Sequence, residues 1–95
     1  MKKKTGDRFS KPTLSCLQET VLRQLVRIAG LQEMTIWRSR KQEWHLSVTV
    51  TQRSQVIYLS TRRAPRSPRA FTRLEAALAA GQRIRATRQV TLVLR

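Results

Sequence analysis

The spacing between apolar residues changes after the first third of this chain, and that change limits the folds it can adopt. Near the N-terminus apolar residues recur every three or four positions, the period of an amphipathic helix. Between Met34 and Val50 they alternate with polar residues, the period of a strand with one buried face. The helical stripe consists of Leu14, Leu17, Val21, Leu25 and Ile28, widened by Leu22 and Val26, and the alternating set includes Met34, Ile36, Trp44, Leu46, Val48 and Val50. The chain must therefore contain both a helix and a sheet.

Capping and turn residues give approximate boundaries to these elements. Ser15 and Gln18 fit a capping box for the first helix, which Gly30 follows. Ser67 fits the N-cap of a second helix, and Pro68 its first position. The predicted elements are a helix over 15–29, a three-strand antiparallel meander over 34–39, 44–51 and 55–61, a helix from Pro68 to Gly81, and a strand over 87–94. The order α-β-β-β-α-β predicts an α+β fold with both helices on one face of a four-stranded sheet.

Residues 31–43 also allow a second interpretation, in which an N-terminal helix-turn-helix precedes a β-hairpin, a helix and a strand. Gly30 would form the turn, six residues before a buried Ile36. The segment TIWRSRK would then be a recognition helix that presents Arg38, Arg40 and Lys41 to DNA. Val26 counts against this motif, because the position four before the turn glycine is usually small. Both interpretations remain open from the sequence.

The net charge points to a polyanionic partner. The 95 residues carry 20 Lys and Arg against 5 Asp and Glu, which gives +15. A chain of this length forms one small domain, here 13–95, preceded by a basic arm over 1–12. The arm lacks the apolar run of a signal peptide, and no segment has the length of a membrane span. We therefore expect a cytoplasmic protein that binds nucleic acid, with DNA slightly favoured over RNA on general frequency.

Four arginines cluster in the stretch TRRAPRSPRAF. Arg62, Arg63, Arg66 and Arg69 surround the predicted start of the second helix, where unpaired backbone N–H groups already favour anions. Basic residues at that end are normally unfavourable to the helix, so the cluster suggests a phosphate site. The alternative is a solvated basic connector stiffened by two prolines. Arg73, Arg83, Arg85 and Arg88 are predicted to assist the phosphate contacts.

The outward face of the predicted meander is the second candidate site. With a first turn over 40–42, Trp37 lies across from His45 and Thr35 from Ser47. With a second turn at 53–54, Thr49 lies across from Tyr58. Trp37, His45 and Tyr58 could stack nucleic-acid bases or line a homodimer interface. Thr91 and Val93 facing the same way would favour the dimer.

Other classes of site have little support in the sequence. Cys16 is the only cysteine, which excludes an intrachain disulfide and a cysteine-based zinc framework, and its place in the helical stripe predicts a buried, reduced thiol. His45 is the only histidine, the five acids lie on different elements, and no phosphate-loop or nucleophile-elbow motif occurs. We expect no enzymatic activity, no metal and no cofactor.

The sequence thus predicts a non-enzymatic nucleic-acid-binding protein that contacts phosphates through the arginine cluster, with transcription regulation as the role if the helix-turn-helix is present. A different class stays open. The chain could instead be a small accessory or inhibitor protein, perhaps from a mobile genetic element. It would then bind an acidic protein or a nucleoprotein complex through its basic face. Membership of a ribonucleoprotein assembly is a third interpretation.

Overall fold

The computed structural model describes residues 15–94, so the predicted arm over 1–12 lies outside the described residues. The α+β class is confirmed, with two helices and a five-stranded mixed sheet. The elements are β1 (Ser15–Gln18), α1 (Glu19–Ala29), β2 (Leu31–Arg38), β3 (Trp44–Val50), β4 (Ile57–Ser60), α2 (Leu74–Ile84) and β5 (Thr91–Val93). The sheet order is β1-β4-β3-β2-β5.

The first element is a strand that the sequence interpretation missed. β1 pairs parallel to β4, with Ser15 beside Ile57 and Leu17 beside Leu59. This pairing holds residues 15–18 extended, so α1 begins at Glu19 and the predicted capping box is wrong: no side-chain hydrogen bond caps the helix start. Cys16 accordingly lies half-buried in a strand rather than in a helix.

The end of α1 was predicted correctly, and its glycine is required there. Gly30 has φ +86°, a conformation that side chains rarely adopt, and its N–H donates to the Val26 carbonyl at 2.8 Å. A Cβ on Gly30 would lie 3.0 Å from the Thr51 hydroxyl. The chain therefore turns directly from α1 into β2.

The helix-turn-helix interpretation is wrong, because residues 31–38 form β2. β2 and β3 are antiparallel in the predicted register, with Thr35 opposite Ser47 and Trp37 opposite His45. The register of β4 differs from the prediction: Tyr58 lies opposite Ser47 rather than Thr49. The connection between β3 and β4 spans residues 51–56 instead of a tight turn, which moves the pairing by two residues.

The core lies between the sheet and the helical layer. Leu22 and Val26 are the α1 residues with no exposed surface, so the helix turns a narrower stripe inward than predicted. Val21 and Ile28, which belonged to the predicted stripe, are 50% and 84% exposed. The other core residues are Met34, Ile36, Leu46, Val48, Val50, Ile57, Leu59, Phe71, Ala77, Ala80 and Ile84.

The second helix begins later than predicted and extends further. α2 starts at Leu74 instead of Pro68 and continues past Gly81 to Ile84. The delay has a tertiary cause: Phe71 pairs with Trp44, each N–H donating to the other residue's carbonyl at 2.8 Å, so the chain stays extended up to residue 71. Small residues then bring α2 close to the sheet. A Cβ on Gly81 would lie 2.7 Å from the Met34 sulfur.

Candidate nucleic-acid interface

The arginine cluster lies in a loop that is anchored to the sheet at both ends. We call residues 61–70 the arginine loop; it leaves β4 at Ser60 and returns beside the start of β3. The Arg69 N–H donates to the Leu59 carbonyl at 2.7 Å. The Nδ1 atom of His45 lies 2.9 Å from the Arg69 carbonyl oxygen. Because a carbonyl can only accept, Nδ1 carries the hydrogen and donates it.

Hydrogen bonds within the loop order the part that projects from the sheet. The Thr61 hydroxyl accepts from the Ala64 N–H at 3.1 Å, and the Ala64 carbonyl accepts from the Ser67 N–H at 3.2 Å. Pro65 and Pro68 further restrict the backbone. The loop therefore has a defined backbone conformation, which both the phosphate-site and the stiffened-connector interpretations allow.

The four loop arginines are placed differently. Arg62, Arg63 and Arg66 are exposed. Arg69 is half-buried, and its guanidinium carbon lies 4.5 Å from the centroid of the Phe71 ring, within the range of a cation–π contact. The predicted position of the cluster at the start of the second helix is wrong, since α2 begins at Leu74. The arginine loop therefore ends before the helix N-terminus, and Glu75 occupies the first turn of α2.

The sheet face opposite the helices carries the predicted aromatic residues. Trp37 and Tyr58 have ring centroids 6.5 Å apart and planes inclined by 45°, so they do not stack in parallel on each other. The Trp37 indole N–H donates to the Ser47 hydroxyl at 2.6 Å, which fixes the indole on the sheet. His45 is half-buried on the same face.

The two candidate sites meet in one open groove of about 360 Å³. Pro68 forms the part of its lining that belongs to the arginine loop, while the aromatic residues belong to the sheet. Among the described residues, none of those lining the groove is acidic. The lining consists of Trp37, Arg38, Ser39, Arg40, His45, Tyr58 and Pro68.

The tip of the β2–β3 hairpin carries three bases, of which Arg38 and Arg40 line the groove. Arg38 donates to the Gln42 side chain, and its guanidinium carbon lies 5.8 Å from the centroid of the Trp44 ring. Arg40 and Lys41 are exposed. These are the bases that the helix-turn-helix interpretation assigned to DNA, and they lie in a strand end and a turn instead.

The remaining predicted bases lie away from the groove. Arg83 is held by Glu19, with nitrogen–oxygen distances of 3.0 and 3.1 Å. Its hydrogen bond lowers the pKa of the Glu19 carboxyl and raises that of the guanidinium. Arg85 lines a separate groove on the helical layer together with Arg23 and Arg27.

Two further predicted bases are not among the residues that line the groove beside the arginine loop. Arg73 stands at the N-cap of α2, with Glu75 at 3.7 Å, and both side chains are more than three-quarters exposed. Arg88 is exposed in the connection between α2 and β5. The predicted set of eleven bases therefore does not form one site: Arg38 and Arg40 line the groove beside the arginine loop, whereas Arg83 and Arg85 line a different one.

β5 adds Thr91 and Val93 to the aromatic face, the placement that we expected to favour a dimer. Thr91 lies beside Thr35 and Val93 beside Trp37 in the parallel pairing of β5 with β2. The Thr91 hydroxyl donates to Glu33 at 2.8 Å, so this end of the face carries a carboxylate and lies apart from the basic groove.

The sequence did not identify Pro68 as a groove residue. Its local pattern predicts that Pro68 lies in the first turn of a helix, and no local signal reveals that residues 69–71 pair with the sheet. A prediction of the Trp44–Phe71 pairing would have been needed to bring the loop and the aromatic face together.

Within residues 15–94, no group of three or more His, Cys, Asp and Glu side chains could hold a metal ion. Neither described helix has the length and apolar character needed to cross a membrane. Comparisons of the chain with protein-family models, curated proteins and solved structures find no significant match.

Proposed function

We propose that this protein is a non-enzymatic nucleic-acid-binding protein whose arginine loop and hairpin tip hold the phosphate backbone. The observation that carries the proposal is the adjacency of an anchored arginine loop to a groove lined by aromatic and basic side chains. Guanidinium groups form paired hydrogen bonds with phosphate, and aromatic rings contact bases. A nucleic acid offers a partner for both kinds of side chain.

The distribution of carboxylates supports the same assignment. Residues 15–94 hold fourteen Lys and Arg but only four Asp and Glu. Within this part of the chain, the carboxylates within 4.0 Å of a base engage Arg23, Arg73 and Arg83. The arginine loop has no such partner there, so its charge is available to an external anion.

Structural order in the loop favours a binding role over a solvating one. Ordering a flexible loop on binding costs conformational entropy, and a loop already held by backbone and side-chain hydrogen bonds avoids part of that cost. The contacts from Leu59 and His45 to Arg69 provide this order at the base of the loop. An exposed connector that served only to join β4 to α2 would not need them.

The test compares two triple variants with equal loss of charge. The loop variant is Arg62→Gln, Arg63→Gln and Arg66→Gln, and the control is Arg27→Gln, Arg53→Gln and Arg85→Gln, which lie outside both the arginine loop and the hairpin tip. Binding of labelled DNA and RNA is measured by fluorescence anisotropy at salt concentrations between about 50 and 200 mM.

We expect the loop variant to reduce the slope of log affinity against log salt by about 2 to 3, since each phosphate contact contributes about 0.7 to 0.9. The control should change the slope by less than half as much. Equal effects would show that net charge alone drives binding. Absence of wild-type binding to every nucleic acid at about 150 mM salt would refute the proposal and favour an acidic protein partner.

A further inference from the structure

We infer that the groove receives an unpaired base, so that the preferred ligand is single-stranded nucleic acid. This inference rests on the proposed function and specifies its ligand. The lining of the groove combines a fixed indole, a phenol ring, a proline ring and an imidazole. Planar and apolar rings of this kind contact the face of a base, which a duplex hides between neighbouring base pairs.

The size of the groove suits a small planar group. Its volume of about 360 Å³ is at the lower end of the range for small-molecule sites, roughly 300 to 1,000 Å³. The ring of Trp37 is held by Ser47, and the ring of Tyr58 lies at 45° to it. A base can therefore contact one ring without first breaking a parallel stack between the two.

His45 adds a polar contact to the groove. Its Nδ1 hydrogen is donated to the Arg69 carbonyl, which leaves Nε2 as the ring nitrogen free to contact a ligand. His45 lines the groove, and a ring nitrogen there can form a hydrogen bond with the edge of a base. The same side chain thus joins the arginine loop to the groove floor.

Arg38 and Arg40 line the hairpin side of the groove, and Pro68 joins the groove to the arginine loop, so basic side chains are available for a strand that passes through it. A single strand that places one base in the groove carries phosphates on either side of that base. This arrangement is the usual one in proteins that bind single strands without strong sequence preference.

A second copy of this chain is a poorer occupant. A symmetric dimer through the groove would bring Arg38, Arg40 and the arginine loop of both copies together, and no acidic residue among the described ones lines the groove. Like charges at a buried interface are unfavourable. Charge complementarity therefore favours a polyanion over self-association at this end of the sheet face.

The experiment measures wild-type binding to four labelled ligands of about 12 nucleotides: single-stranded DNA, single-stranded RNA, the DNA duplex and the RNA duplex. It uses the full chain at about 150 mM salt. Tyr58→Ala removes a ring from the groove, and Tyr58→Phe keeps the ring as the matched control. Circular dichroism of each variant verifies that it folds.

We expect a single strand to bind about tenfold or more tightly than its duplex, which is the size of one base–aromatic contact. Tyr58→Ala should remove most of that preference, and Tyr58→Phe should retain it. If Tyr58→Ala does not fold, Trp37→Phe is used instead: single strands should then quench the remaining Trp44 fluorescence much less than they quench the wild type.

The two proposals fail in different ways. Equal affinity for single strands and duplexes, unaffected by Tyr58→Ala, would overturn the unpaired-base inference while leaving nucleic-acid binding intact. Absence of binding to all four ligands would overturn both. A preference for the DNA or the RNA single strand identifies which of the two supplies the base.

Discussion

The hydrogen bond from His45 to the arginine loop should determine how well the loop is ordered. In His45→Ala the Arg69 carbonyl loses the donor that lies 2.9 Å away. A hydrogen bond of this kind contributes about 0.5 to 1.5 kcal/mol to stability. For a domain of this size a loss of about 1 kcal/mol lowers the melting temperature by about 4 to 8 °C. The loss should be concentrated in the loop.

His45→Asn is the matched control, because the asparagine amide nitrogen can take the place of Nδ1 and donate to the same carbonyl. Urea unfolding measures the global effect, and amide hydrogen exchange at Arg69, whose N–H donates to Leu59 at 2.7 Å, reports the local one. We expect His45→Ala to speed exchange at Arg69 and His45→Asn to restore most of the protection. The reasoning is refuted if the alanine variant exchanges like the wild type, or if the asparagine variant is as unstable as the alanine variant.

Two further predictions concern stability. Gly81→Ala should destabilise the fold by up to about 2 kcal/mol, because a Cβ there would lie 2.7 Å from the Met34 sulfur. Overpacking costs about 1 to 3 kcal/mol, which exceeds the gain in helix propensity of about 1 kcal/mol. An increase in the urea midpoint would contradict this prediction. Glu19→Gln should cost at most about 1 kcal/mol, since the Arg83 side chain is 51% exposed, whereas the more exposed Glu75→Gln should be nearly neutral. Because Arg83 lowers the pKa of Glu19, the ion pair stabilises the fold at pH values above the ordinary range of a glutamate and is lost as pH falls through the lowered pKa. Unfolding curves of wild type and Glu19→Gln should therefore converge in acid, and a constant difference down to low pH would count against the assignment.

The sequence predicted β2 and β3 together with their register, because alternation and a short hairpin are local features. Thr35 opposite Ser47 follows from counting residues on either side of the turn. Counting residues across the turn gave the wrong register for β4, because the longer connection over 51–56 shifts its pairing with β3. The local pattern also failed for β1, whose four residues extend only because they pair with a strand forty residues away.

The second helix shows how tertiary pairing overrides local propensity. Ser67 and Pro68 form a good helix start by sequence, yet the pairing of Phe71 with Trp44 keeps the chain extended and delays α2 to Leu74. This delay also changes the composition of the candidate site. The arginine cluster is not at a helix N-terminus, and Pro68 instead lines the groove beside the aromatic face.

The two halves of the candidate site were each visible in the sequence, but their adjacency was not. The run of arginines and the alternation of Trp37 with Ile36 are local signals. The contact of His45 with Arg69, which joins the halves, spans 24 residues. The same limitation explains why Arg83 was grouped with the phosphate contacts, since its pairing with Glu19 joins residues 64 positions apart.

The most direct test of the proposed interface is an amide chemical-shift titration of the full chain with a short single-stranded oligonucleotide at about 150 mM salt. The account predicts that the largest shifts fall on residues 61–70, on the hairpin over 37–45 and on Tyr58, with smaller changes over Arg23–Arg27 and 83–88. Shifts concentrated on the helical layer, or no shifts at saturating oligonucleotide, would contradict it.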